Sequence, residues 1–224
     1  MSHWITLVTA HGPMNGWLAQ PDDRPVGGIV LVHEIYGVNA DMRHVAERHA
    51  ADGYLTVVPA LFDSIRPEVE LDYAPANRLL GNALAWRLGG ETATRLVATA
   101  ADAIGHAGDV AIVGYGWGAA IALRAARTLS APCVVHCGMS DPAWIDEETN
   151  TPTLVHRGEI DSQYSPGEWY ALERAASGPA VYTHLAGPGL HRAGDWLCDA
   201  PGNVAEAFER TREFLHENVH RTGD

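Results

Sequence analysis

The sequence predicts an α/β architecture: a mostly parallel central sheet with helices on both faces, forming one domain over residues 1–224. Three observations predict it. From Gly28 onward, short apolar runs alternate with helix-period segments, the pattern of successive right-handed crossovers. The first run, Gly28–Val32, is apolar without a break, as a strand buried on both faces must be. The third observation is Asp109–Ala120. A strand there (Val110–Val113) enters the turn Gly114-Tyr115-Gly116-Trp117-Gly118, and a small-residue helix begins at once.

The elements follow in order. Trp4–Thr9 and Met14–Ala19 alternate as strands, with His11-Gly12-Pro13 as the hairpin turn between them. After the Gly28–Val32 strand, Asn39 or Asp41 can cap a helix carrying Met42, Val45, Ala46 and His49, which ends near Gly53. Tyr54–Pro59 is the next strand. The proline- and acid-rich stretch from Phe62 to Pro75 is a loop over one end of the sheet. Asn77–Leu88 and Thr92–His106 have helical apolar spacing, and the helix after Gly116 runs to Leu129. Pro132–Cys137, Thr153–His156 and Ala180–Leu185 are strands, and Pro166–Ala176 is a helix. Val204–Val219 closes the chain as a helix with Val204, Ala207, Phe208, Thr211, Phe214 and Leu215 on its buried stripe.

Composition narrows the function. The net charge of -13 argues against a nucleic-acid or anionic-membrane binder, which needs a basic patch. No apolar run is long enough to span a bilayer, and the first residues lack the basic and apolar regions of a signal peptide. Cys133, Cys137 and Cys198 are an odd number without C-x-x-C spacing, so free thiols in a reducing cytoplasm are expected. His216-Glu217-Asn218-Val219-His220 fits H-E-x-x-H, but only four residues follow, so a third zinc ligand later in the chain is hard to supply. The plainer reading is a final helix with histidines at its negative end. No metal or cofactor is expected.

The chemistry-bearing residues gather around Gly114–Gly118. A strand–turn–helix with this glycine spacing is the layout of a nucleophile elbow, which raises its middle side chain above the sheet beside the N–H groups of a helix N-terminus. The middle residue here is Gly116. Asp161 and His191 each follow a predicted strand, and the chain order nucleophile position, acid, histidine is that of an acyl-transfer triad. Glu34 and Ile35 follow the first central strand. The backbone N–H groups of Ile35 and Trp117 are the expected oxyanion donors. Glu34 is either a working carboxylate at an apolar strand end or a surface residue capping the Asn39 helix.

These residues together resemble the dienelactone hydrolase (carboxymethylenebutenolidase) family, over nearly the whole chain. Val32-His33-Glu34-Ile35-Tyr36-Gly37-Val38-Asn39 resembles its signature at the strand end. Tyr54–Phe62 resembles its G-Y-x-x-x-x-P-x-L-[FY] stretch, with Ala60 where an aspartate is usual, and Gly114–Gly118 resembles its G-Y-C-x-G. Asp161 and His191 match its acid and histidine. The resemblance implies an α/β-hydrolase fold, ester- or lactone-like small-molecule substrates, and Glu34 in the catalytic group. It also implies a cysteine nucleophile where this chain has Gly116, and arginines that bind a substrate carboxylate. Asp195 stands where one arginine is expected. Arg192 is close by and Arg78 is the candidate for the other, with Tyr36 and Cys137 as further substrate-contacting positions. An acidic residue at 195 argues against an anionic dienelactone.

Three readings follow. Asp161–His191 can act as a general base without covalent catalysis. Alternatively, the protein is a non-catalytic pseudoenzyme that binds a small ligand or a protein partner. In the third, Cys137 is a displaced nucleophile. The expected partner is a small-molecule substrate or ligand, and the expected assembly a monomer or homodimer.

Overall fold

In the computed structural model, residues 1–136, 151–158, 181–186 and 203–221 are described. They contain one eight-stranded sheet in the order β1-β2-β4-β3-β5-β6-β7-β8. β1 (Ser2–Thr9) and β2 (Gly12–Ala19) form an antiparallel hairpin, and β2 pairs antiparallel with β4 (Tyr54–Pro59). All other neighbours are parallel: β3 (Gly27–Val32), β5 (Val110–Tyr115), β6 (Cys133–His136), β7 (Thr153–Gly158) and β8 (Val181–Ala186). Every residue of β3 and β4 is buried, so the unbroken apolar run at the first central strand has the predicted cause.

Helices cover both faces. α1 (Ala40–Ala51) and α5 (Asn203–Asn218) close one core with Ile29, Leu31, Val113 and Leu154. α2 (Pro75–Leu88), α3 (Gly90–Ile104) and α4 (Trp117–Leu129) close the other with Val30, Val32, Ile112 and Val135. Adjacent sheet positions therefore face different helix layers, which is the period-two rule acting on a two-sided core. Asn39, not Asp41 or Glu34, caps α1: its side chain accepts the Met42 N–H at 3.1 Å. α2 starts two residues earlier than its apolar spacing predicts, because Pro75 is already suited to the first helical turn.

The H-E-x-x-H string lies at the end of α5. His216 is in the last helical turn and exposed, whereas His220 is beyond the helix with its N–H on Asp109 Oδ2 at 3.2 Å. The two histidines do not share a helix face, so the plainer reading stands. Among the described residues, no helix is long and apolar enough to cross a membrane.

Candidate active site at the glycine elbow

Three glycines in five residues have two different physical causes. A Cβ on Gly114 would come within 2.4 Å of the Gly118 carbonyl oxygen and 2.6 Å of Ala122 Cβ. On Gly118 it would come within 2.5 Å of the carbonyl oxygens of both Val32 and His33. These two glycines let the start of α4 press against the ends of β3 and β5. Gly116 differs. Its Cβ position meets nothing nearer than Glu34 Cγ and Oε1, both at 3.4 Å, which is ordinary contact. What favours glycine there is the backbone, at φ +53° and ψ −121°, a conformation that side chains adopt only with strain. Gly116 is the N-cap of α4, and its N–H donates to the His136 carbonyl oxygen at 3.1 Å. A side chain at 116 would stand beside the N-terminus of a 13-residue helix and point at a carboxylate.

That carboxylate is held by a loop fixed from several sides. Glu34 is buried, at 5% exposure. The His33 ring is also buried. Its Nε2 accepts the Leu61 N–H at 3.2 Å, so its proton is on Nδ1, which donates to the Glu34 carbonyl oxygen at 2.5 Å. Burial drives the His33 pKa down to about 4, outweighing the backbone hydrogen bonds that favour its charged form. The ring is therefore a neutral strut from the end of β4 to the Glu34 peptide. The next peptide is pinned by α2: a Cβ on Gly81 would lie 2.3 Å from the Ile35 carbonyl oxygen, so only glycine permits this contact.

The predicted loop after Phe62 does more than cover the sheet. It lies antiparallel to Tyr36–Val38: Val38 N–H donates to Val69, Leu71 N–H donates to Tyr36, and Gly37 bridges Glu70. Gly37, at φ +76°, has its Cβ position 1.9 Å from the Val69 carbonyl oxygen. Asn39 Nδ2 donates to Leu71 and Arg43 pairs with Glu70, locking the crossing. The loop thereby delivers Tyr73, whose hydroxyl donates to Glu34 Oε2 at 3.1 Å and whose ring stands edge-on to Tyr36 at 4.7 Å. Behind the loop, His33, Phe62 and Trp117 pack ring against ring. Burial pushes the neighbouring Tyr115 phenol far up, opposed by Arg48 and reinforced by the Glu34 charge.

The structure thus joins Glu34 to Gly116 and puts Ile35 and Trp117 directly after them on two abutting turns. Tyr36 is half-buried against Tyr73. Arg78 is exposed on the first turns of α2, with no hydrogen bond to Glu34 among the described residues. Asp161, His191, Arg192, Asp195 and Cys137 lie outside the described residues, as does Cys198. Cys133 is buried in β6, and burial pushes its thiol pKa up, as for a core residue. The sequence reading did not single out Tyr73, the His33 strut, or the fitting glycines 37 and 81. Only the interruption of a helix by Gly81 hinted at a close approach.

The sheet order and the strand–turn–helix at Gly116 define an α/β-hydrolase fold. A solved dienelactone hydrolase homologue from Klebsiella pneumoniae superposes with TM-score 0.79 over 97% of this chain and 98% of its own, at 18% identity. Residues 14–183 match the model of the dienelactone hydrolase family, and the chain belongs to that family. Carboxymethylenebutenolidase homologues from Synechocystis sp. and Yersinia pestis are 34% identical over 74 residues and 30% identical over 122. These matches cover 32% and 52% of this chain, and span 29% and 45% of the relatives' lengths.

Proposed function

We propose that this protein hydrolyses small ester- or lactone-like substrates at the Gly116 elbow without a covalent intermediate. The observation that carries the reading is the combination at Gly116: elbow backbone angles, a helix starting at the next residue, and a buried carboxylate 3.4 Å from the Cβ position. In this reading the N–H groups of Ile35 and Trp117 stabilise the oxyanion. His191, oriented by Asp161, is a general base, and Glu34 moves protons at the same centre. Tyr36, Arg78, Cys137 and Arg192 contact the substrate. Asp195 disfavours an anionic one. The setting is the cytoplasm, and the assembly a monomer or homodimer.

A site of this kind that lacks its nucleophile retains about 10³–10⁴-fold catalysis over water from its oxyanion donors and binding. The test is turnover of activated aryl esters and lactones by the wild type and by His191→Ala. A measurable rate that falls in the variant supports the reading; an unchanged rate refutes the role of His191. Gly116→Cys is the companion experiment. Gain of ester hydrolysis, with an acyl-enzyme seen by mass spectrometry, means the rest of the site is intact. One observation favours the non-catalytic reading: glycine is the residue that relieves backbone strain at φ +53°. Ligand binding with no turnover in the wild type would select it.

A further inference from the structure

We infer that β1 is an intermolecular edge: it pairs antiparallel with β1 of a second copy of this chain, centred on Thr6, and joins two eight-stranded sheets into one. The inference concerns the margin of the sheet rather than the elbow, so it stands apart from the hydrolytic reading.

An edge strand presents a row of unpaired N–H and C=O groups, and soluble proteins blunt it with a short strand, a proline, a bulge or lysines. β1 uses none of these. It runs eight residues, Ser2–Thr9, and its neighbour among the described residues is β2 alone. Its register with β2 is unbroken from Ser2 opposite Ala19 to Thr9 opposite Gly12, so no bulge turns the edge away. Residues 1–21 include no Asp, Glu, Lys or Arg side chain, in a chain with 28 acidic and 15 basic residues. Two chains of net charge -13 repel each other, and at this hairpin they can approach without carboxylates face to face.

The main chain fixes which residues can pair. Met1 and Gln20 exchange both main-chain hydrogen bonds, at 3.0 and 3.1 Å. Odd-numbered residues of β1 therefore turn their N–H and C=O groups toward β2, and even-numbered residues turn theirs toward the open edge. Two copies related by a two-fold axis normal to the sheet must set even residues against even residues. Centring that axis on Thr6 puts Trp4 of each copy opposite Val8 of the other. These are the large apolar side chains that β1 leaves in solvent, at 43% and 87% exposure. An aromatic against a β-branched residue is a favourable cross-strand pair, and Trp4 is already held edge-on by Trp17 at 5.4 Å. On the other face the same register sets Ile5 against Leu7, extending the apolar core to which both belong. Centring on Ile5 instead would oppose Trp4 to Thr6 and Val8 to Ser2, so the apolar match selects Thr6. The paired stretch, His3–Thr9, is about seven residues a side against roughly 20–30 in a standard interface, which makes the dimer reversible with Kd on the order of micromolar.

The experiment is sedimentation equilibrium of the full chain from about 1 to 300 μM at pH 7.5, across that Kd range. The mass is expected to rise with concentration toward twice the 24.1 kDa of one chain. Thr6 is exposed and faces itself across the axis, so Thr6→Lys and Thr6→Glu should each fold as the wild type does and raise Kd at least about tenfold by like-charge repulsion. Mixing the two variants should restore association as heterodimers, which a loss of folding could not do. If neither charged variant folds, Thr6→Cys decides: opposed residues in a hydrogen-bonded pair stand about 5.5 Å apart at Cα, within disulfide range, so oxidation should give a covalent dimer that the wild type and Ser2→Cys do not form. A wild type that stays monomeric throughout overturns the inference. So does a dimer that Thr6→Lys leaves intact, a mixture that fails to associate, or a Thr6→Cys chain that does not cross-link. None of these results depends on ester turnover.

Discussion

Gly116 and Gly118 stand two residues apart in one turn, and alanine at each should fail for different reasons and by different amounts. At Gly118 the backbone is helical, where alanine alone is favoured by about 1 kcal/mol. Its Cβ, however, would meet two main-chain carbonyl oxygens at 2.5 Å, and neither can move without shifting β3 or α4. Overpacking of a rigid core costs about 1–3 kcal/mol and more where backbone must yield; with two carbonyl contacts at once a cost of about 4 kcal/mol, less the roughly 1 kcal/mol of propensity, leaves a net loss of about 3 kcal/mol. At Gly116 the Cβ has ordinary contacts only, and the cost is the strained φ and ψ, about 1–3 kcal/mol. Lower entropy of the unfolded chain returns about 0.4–1 kcal/mol, leaving a net loss of about 1–2 kcal/mol. For a chain of this length, 1 kcal/mol corresponds to about 2–4 °C in Tm. Thermal and urea unfolding of Gly116→Ala, Gly118→Ala and the double variant measure the difference. If Gly118→Ala is no less stable than Gly116→Ala, the assignment of one glycine to packing and the other to backbone strain is wrong.

Acid should destabilise the fold through buried histidines. His33 and His49 are both held neutral by burial, each with a pKa lowered from 6.5 to about 4, with the Arg48 charge assisting at His49. The unfolded chain binds those protons near pH 6.5 and the folded chain does not. Stability from this source is therefore complete above pH 6.5 and lost as pH falls toward 4, by about 3 kcal/mol for each histidine. Urea midpoints between pH 7.5 and 4 should fall along this window, and a flat profile refutes it. His49 Nε2 has no hydrogen-bond partner among the described residues, and the ring stacks on Phe208 at 5.7 Å. His49→Leu should therefore be neutral or stabilising at pH 7 and should remove about half of the acid slope. Asn39→Ala removes the α1 cap and the bond to Leu71, so a loss of about 1–2 kcal/mol is expected in urea unfolding at pH 7.

The sheet and the described helices were legible because they rest on periodicity, and periodicity is a local property; the expected helix Pro166–Ala176 lies outside the described residues. Gly28–Val32 had to be central, and the strand–turn–helix at Gly116 had to lie at its carboxyl end. Glu34 was legible as a choice between two roles, and its burial beneath Tyr73 removes the surface-cap alternative. Tyr73 was not legible. Thirty-nine residues separate it from Glu34, and the loop that carries it is shaped by main-chain bonds to Tyr36 and Val38, which leave no side-chain pattern. The His33 strut was hidden for a similar reason. Its acceptor and donor partners are backbone atoms, so no partner residue type announces it.

The distribution of constraint around the elbow separates scaffold from chemistry. Gly37, Gly81, Gly114 and Gly118 each sit where a Cβ would lie within 2.5 Å of a backbone oxygen. Those four contacts press the Tyr36–Val38 strand onto its covering loop, α2 onto Ile35, and α4 onto β3 and β5. A hydrophobic core does not need carbonyls packed this closely, and glycine in a helix, as at 81, costs about 1 kcal/mol. What the contacts do achieve is a fixed separation between two turns, one carrying Glu34 and Ile35, the other Gly116 and Trp117. In the proposed function the Ile35 and Trp117 N–H groups meet one oxygen, and fixed separation then matters, because misplacement by an ångström costs about 100-fold in rate. Gly116 is the one elbow glycine free of that packing demand. A side chain there meets only ordinary contacts and its cost is backbone strain alone, so under the proposed function the frame sets the orientation of the site and position 116 is where a nucleophile can be introduced.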